Sequence, residues 1–254
     1  MAEKNMSIMS HLDELRSRLI ISLISLAVGT AIAFAFRDPL LSILIRPSPG
    51  FRPVYLELTE MLGVYMQLSL LGGFILTLPV IAYQAAMFIV PGLLPKERRA
   101  LLIMLPGVTV LFLLGVSFGY FVVLPPTITF LISFGMNVAE PQIRISNYFN
   151  VVVTVLFWLG VVFEIPFVMY LLARIKLISA GTLSRYRRYS IVVAFILGAL
   201  ITPTFDPITQ TLVSVPIVVL YELGILLAWL ARRGEKKEAT PVPAAADQTP
   251  SKSE

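Results

Sequence analysis

Residues 149–173 read FNVVVTVLFWLGVVFEIPFVMYLLA, twenty-five residues that carry one charge, that of Glu164. As a helix rising about 1.5 Å per residue, the run crosses an apolar layer of about 30 Å and puts Glu164 well inside it. A carboxyl at that depth costs at least a few kcal/mol when ionised and unpaired, so Glu164 is neutral, paired or turned to a wet cavity. Pro166 removes one backbone donor and frees the carbonyl of Val162, four residues earlier. An acid and a broken ladder in one turn make a polar notch. A neutral acid that caps the freed backbone and only packs helices would suit the same residues. Intramembrane acids favour the functional reading.

The whole chain resembles this segment. Its 254 residues are 57% hydrophobic and 14% charged, with a mean hydropathy of +0.86. Soluble domains carry about 25% charged residues, so the composition is that of an all-α polytopic membrane protein. No stretch is polar enough for a soluble domain. Cysteine is absent, which excludes a disulfide framework and thiol chemistry. The formal charge of +5 would suggest nucleic acid in a soluble protein. Here the basic residues flank apolar segments, so orientation in the membrane explains them and no nucleic-acid partner is expected.

Working outward, residues 1–18 form a polar N-terminal segment, 19–231 a six-helix transmembrane domain and 232–254 a disordered tail. The first span, Leu19–Phe36, is eighteen uncharged residues, longer than the apolar region of a signal peptide, and is expected to be retained. Its Ser22, Ser25, Gly29 and Ala33 make a small-residue face for close helix packing. Residues 37–58 are too rich in proline to continue a helix, so a loop is expected. The second span is Glu60–Ile89, which should tilt, kink at Pro79 or project into water. The third is Ala100–Leu124, ended by Pro125-Pro126, with a second long loop over 127–147. After the fourth span and a basic connection, Tyr189–Thr202 offers only fourteen residues, about 21 Å of helix. Residues 203–207 turn the chain into Ile208–Ala231. The last two helices are thus short, and either span a thinned bilayer or form a re-entrant hairpin.

Charge sets the orientation. Sixteen of the twenty Lys and Arg residues lie in 1–18, 91–99, 174–188 and 232–254, and four in the alternate connections. That bias predicts six spans with both termini cytoplasmic.

Catalytic signatures are missing. The chain has a single histidine, His11, and no His-Glu-x-x-His, Gly-x-Ser-x-Gly or Gly-x-x-x-x-Gly-Lys pattern. Glu164 and Glu222 could in principle do acid–base work, but lie in apolar segments without a recognisable pocket. An enzyme is not expected, nor a metal site, nor a cofactor. What stands out are acids in basic surroundings: Glu14 between His11 and Arg16/Arg18, and Glu97 between Lys96 and Arg98. Local pairing, such as Glu14 with Arg18 at i,i+4, accounts for each alone. Together they suggest a site that grips a cationic ligand.

Motifs along 11–230 carry a resemblance. His11-Leu-x-Glu-Leu-Arg-x-Arg-Leu19, Pro79-Val-Ile-Ala-Tyr-Gln84, Phe88, Pro91-Gly-Leu93 and Glu97-Arg-Arg99 occur in order, then Phe163-Glu-Ile-Pro166 and Thr202-Pro203, Asp206, Gln210 and Leu220-Tyr-Glu222. In this it resembles the TatC family, the signal receptor of the twin-arginine protein translocase. It departs in having Ala86 where the family usually has tryptophan, and one extra residue between Thr202-Pro203 and Asp206.

The resemblance implies a multi-pass protein of a prokaryotic cytoplasmic (inner) membrane that binds twin-arginine signal peptides of folded cargo. With single-span partner subunits of the TatA and TatB type, in an oligomeric complex embedded in lipid, it would export that cargo using the proton motive force. Glu14 and Glu97 would receive the two signal arginines, with Arg16 and Phe88 shaping the site. Gln84, Glu164, Thr202, Asp206, Gln210 and Thr211 would form an intramembrane polar face for the signal's apolar stretch and the partner subunits. A guanidinium presents a fixed fork of donors to a carboxylate, which fits a preference for Arg over Lys. The alternative is a proton-coupled small-solute transporter using Glu164 as carrier.

Overall fold

The computed structural model describes residues 8–47, 53–90, 95–133, 136, 142–202 and 207–236, of which 8, 95–97, 100 and 232–236 are described by backbone alone. The described residues are helical almost throughout: α1 (Ile8–Ala35), α2 (Arg37–Leu44), α3 (Glu60–Ile89), α4 (Pro95–Phe118), a π-helical turn (Gly119–Val123), α5 (Leu124–Ser133), α6 (Ile145–Phe163), α7 (Ile165–Arg174), α8 (Ala180–Arg185), α9 (Arg187–Ile201) and α10 (Pro207–Lys236). One isolated backbone bridge, Val54 with Arg144, is the sole extended pairing among them.

Among the described residues, five segments are long and apolar enough to cross a membrane: Met9–Ala35, Glu60–Ile89, Leu101–Ser133, Ile145–Arg174 and Pro207–Ala231. Helix α9, fifteen residues, reaches about 22 Å and falls short. Large apolar side chains such as Leu23, Ile24, Ile32, Leu70, Phe121 and Leu200 stand exposed around the bundle. Such a surface suits lipid rather than water.

The core lies around α6, whose Phe149, Val152, Val155, Leu156 and Leu159 are fully buried. Leu68 and Leu71 of α3, Val123 and Leu124 at the π turn, Ala194 of α9 and Val213 of α10 complete it. Polar residues enter the core by bonding their own helix one turn back. Ser69 donates to Tyr65 O at 2.6 Å, Thr77 to Gly73 O at 2.7 Å, Thr127 to Val123 O at 2.8 Å and Ser214 to Gln210 O at 2.7 Å. Each of these four hydroxyls thereby keeps its proton away from hydrocarbon.

Helix α1 packs antiparallel along α3. The small-residue face does this: Gly29 lies against Gly73 and Thr77, and Ala33 against Gly72. Close backbone approach of this kind is how membrane helices gain dispersion contact without a hydrophobic driving force.

Several expectations are corrected. Residues 37–44 form helix α2 rather than loop, because Pro39 sits in its first turn, where a missing N–H costs nothing. The third span does not stop at Leu124. It runs through Pro125 and Pro126 to Ser133, because a π turn precedes them: Leu124 N–H bonds Gly119 O, five residues back. That shift widens the ladder where two prolines have no donor to give. The second connection is correspondingly shorter than 127–147. Helix α1 also takes in residues 8–18 of the expected N-terminal segment. Of the last two helices, expected to be short, only α9 is: α10 has thirty residues and continues to Lys236. Residues 237–254 of the expected tail lie outside the described residues.

Candidate functional site

At one end of the bundle, α1 and α3 bring together a polar cluster. The Glu14 carboxylate accepts from Arg18 through a single oxygen, Oε1, with Nε at 2.9 Å and Nη2 bonded to the same atom. Arg18 Nη1 reaches across to Gln84 Oε1 of α3 at 3.3 Å. Glu14 Oε2 has His11 Nδ1 at 3.8 Å, beyond hydrogen-bond range. His11 itself stacks on Phe88, ring centroids 4.3 Å apart and 13° from parallel. Glu14 and Arg18 side chains are each 21% exposed, so the acid is half-buried in an aromatic and amide frame yet open to a ligand.

The expected signal-site residues divide. Glu14 and Phe88 meet through His11. Arg16 is exposed, two residues from Glu14 and so about 200° around the helix, away from the cluster. Glu97 lies on the first turn of α4, and its side chain lies outside the described residues. Arg98 and Arg99 beside it are exposed.

Glu164 occupies the junction of α6 and α7, with φ −76° and ψ −12°. Pro166 two residues on cannot continue the α6 ladder, so the break lands there. Both carboxyl oxygens are buried with no hydrogen-bond partner among the described residues. Phe163 packs against Phe118 at 5.6 Å between centroids, and Gly115 lets α4 touch Leu159 O and Gly160. By helical rise Glu164 is about 15 Å from the Arg174 end of the segment, near the middle of a bilayer.

The hairpin of α9 and α10 is a separate polar group. Thr202 caps α9 by donating to Gly198 O at 2.8 Å, and Gln210 Nε2 donates to Phe195 O at 3.1 Å. Thr211 donates to Pro207 O at 2.6 Å, and Asp206 lies outside the described residues. No described hydrogen bond joins Glu164 to this hairpin. Gln84, expected with it, instead belongs to the Glu14 cluster.

Sequence reasoning missed a group at the opposite end. Arg144 Nη2 lies 2.7 Å from Glu57 Oε1. Ser146 Oγ donates to Glu60 Oε1 at 2.7 Å. The hydrogen bond from Glu57, then the charge of Glu60, hold the Arg144 guanidinium above its ordinary pKa. The available signal was Arg144 standing alone as the basic residue of 127–147.

The family described as Sec-independent protein translocase protein (TatC) matches residues 10–216. A TatC of Aquifex aeolicus is 40% identical over 238 residues, covering 91% of this chain and 98% of that one. One of Carboxydothermus hydrogenoformans is 36% identical over 230 residues, covering 90% and 95%. Among solved structures, a crystal structure of the twin-arginine translocase receptor TatC in DDM superposes with a TM-score of 0.77 at 40% identity, covering 86% of this chain and 99% of that one.

Proposed function

The chain belongs to the TatC family of Sec-independent protein translocase proteins, and from that premise we propose that it is the subunit that reads the cargo's signal. It is a helical membrane protein of the twin-arginine pathway, a component of a translocase complex and not an enzyme. The finer reading follows from the residues. Glu14 and Glu97 accept the two arginines of a signal peptide, Phe88 and His11 wall the site, and Arg16 adds charge at its rim. Six helices cross the inner membrane of a prokaryote, α9 as a short span, with both termini cytoplasmic. Single-span subunits of the TatA and TatB type dock on the intramembrane polar residues Glu164, Thr202, Gln210 and Thr211.

One observation carries this reading: a half-buried carboxylate whose Oε2 takes no hydrogen bond from the described residues, framed by His11, Phe88 and Gln84 at a helix end. A free carboxylate oxygen beside an aromatic wall suits a guanidinium, which is planar, weakly hydrated and able to stack while it donates. The test is photo-crosslinking of a twin-arginine signal peptide to the purified full-length protein, with a twin-lysine peptide as control. Labelling centred on α1 and α3, lost with Glu14→Gln and absent with the twin-lysine peptide, is the expected result. Equal labelling by both peptides counts against the reading.

A further inference from the structure

We infer that Arg18 is an internal stand-in for the signal guanidinium, a side chain that occupies Glu14 when no signal is bound and must be displaced for one to bind. The inference rests on the reading of Glu14 as an acceptor of a signal arginine. Arg18 lies one helical turn after Glu14 and gives it two donors, Nε and Nη2, both on Oε1. Its third donor is committed to Gln84 Oε1 of α3. The guanidinium is therefore held by a carboxylate on one helix and an amide on the next, much as a bound ligand would be.

The consequence is competitive. A carboxylate offers about four acceptor positions across its two oxygens. An incoming fork binds best when it straddles both. Among the described residues no hydrogen bond is recorded to Oε2, and His11 Nδ1 lies 3.8 Å from it, while Oε1 is taken. A signal arginine can land on Oε2 but completes its fork only by pushing Arg18 aside. That is an exchange of one guanidinium for another, so the net gain is small and the signal can leave again. A lysine ammonium, a compact point charge without the fork, cannot replace both of the bonds that Arg18 gives up. The same contact thus lowers affinity and sharpens the choice of arginine over lysine.

The experiment measures binding of a fluorescent peptide, bearing Arg-Arg or Lys-Lys ahead of an apolar stretch, to the full chain in lipid nanodiscs. Arg18→Ala should bind the Arg-Arg peptide roughly two- to fivefold tighter, the range of a partly exposed ion pair converted to affinity. Lys-Lys binding should rise by a larger factor, and the gain for both should vanish in the Glu14→Gln/Arg18→Ala double variant. Gln84→Ala, which frees the stand-in without touching Glu14, should give a smaller gain of the same sign and guards against a folding defect in Arg18→Ala. Unchanged or weaker binding in both Arg18→Ala and Gln84→Ala overturns the inference, since a residue that merely orients Glu14 lowers affinity when lost. If Glu14→Gln alone leaves wild-type binding intact, the acceptor reading fails, and the stand-in falls with it.

Discussion

Arg144 Nε lies 3.0 Å from Glu60 Oε1, across two connections far apart in the chain. The pair does not act alone. Glu60 Oε2 accepts the backbone N–H of Leu56 at 2.6 Å, and Val54 exchanges backbone bonds with Ile143 and Ile145 at 3.0 and 2.9 Å. Residues 53–60 are thereby stitched to 142–146. Glu60→Ala, which removes charge and acceptors together, should lower Tm in detergent and expose 53–59 to limited proteolysis. Glu60→Gln keeps one acceptor oxygen of the two and should fall between that variant and wild type. Arg144→Lys keeps the charge but loses the fork that reaches two acids, and should resemble Glu60→Gln. An unchanged Tm in Glu60→Ala would show that the stitch is ornamental.

Two glycines on α3 give an internal comparison. A Cβ on Gly73 would sit 2.5 Å from Thr30 N and 2.6 Å from Thr30 Cα, which is backbone and cannot give way locally. A Cβ on Gly63 meets nothing within 4 Å. Gly73→Ala should therefore pry α1 from α3 at a cost of about 1–3 kcal/mol, the usual range for overpacking. Gly63→Ala should leave stability within about 0.5 kcal/mol. Equilibrium unfolding of the two variants in mild detergent measures the difference. Equal effects would mean that the α1–α3 seam is loose.

The long apolar helices were legible because hydropathy reports them directly, and Glu164 because one charge in twenty-five residues cannot hide. Glu14 with Arg18 was legible too, since i,i+4 spacing on a helix guarantees proximity. Pro125-Pro126 misled because the rule that proline ends a helix assumes an α ladder, and the π turn at Gly119–Val123 changes the ladder first. Gln84 was grouped with the wrong residues, and the Glu60–Arg144 pair was missed, for one shared reason. Both depend on which helix ends meet in space, and no local spacing encodes that. Arg16 shows the converse: its place in a motif says nothing about which way it points.

Glu14 and Glu97 should behave as two halves of one site. Glu14→Gln and Glu97→Gln should each weaken signal-peptide binding, and the double variant should cost less than the sum of the two. Groups that share one ligand are coupled, and coupling energies of about 0.5–3 kcal/mol are usual for such neighbours. Peptide titration of the four proteins gives the cycle. Strict additivity, or wild-type binding by either single variant, would separate the two acids.

Helix α9 should thin the membrane around it. Its fifteen residues span about 22 Å where about 30 Å of hydrocarbon is usual, and mismatch costs a fraction of a kcal/mol per Å. Ile196 and Leu200 point outward, 55% and 73% exposed, and so suit nitroxide labels after substitution with cysteine, of which the chain has none. In nanodiscs a label at 200 should be reached by a water-soluble relaxation agent, while one at 196 should favour oxygen. If both sites report deep hydrocarbon with no aqueous access, α9 and α10 form a re-entrant hairpin in a bilayer of ordinary thickness.

Glu164 has two buried carboxyl oxygens with no hydrogen-bond partner among the described residues, an arrangement that is costly unless something else supplies a hydrogen bond. A glutamic acid in its neutral form is both donor and acceptor, so a polar group on a docking helix can satisfy it. Model helices put such bonds at about 1–2 kcal/mol and double-mutant cycles nearer about 0.6, enough to bias docking without locking it. That strength suits the proposed docking role, in which a signal segment and single-span subunits would exchange at this site. Glutamine keeps a donor and an acceptor in nearly the same volume, so Glu164→Gln should retain most complex assembly and export. Glu164→Ala should lose part of both, having neither group. Glu164→Lys should do the most damage, because it buries a cation where the break between α6 and α7 offers no counter-charge. A proton carrier orders the variants differently: glutamine cannot release a proton and would be as inactive as alanine. Cargo export and co-purification of partner subunits, measured together for the three variants, separate the mechanisms. A Gln variant that assembles normally yet exports nothing would sink the docking role and revive the proton-coupled transporter.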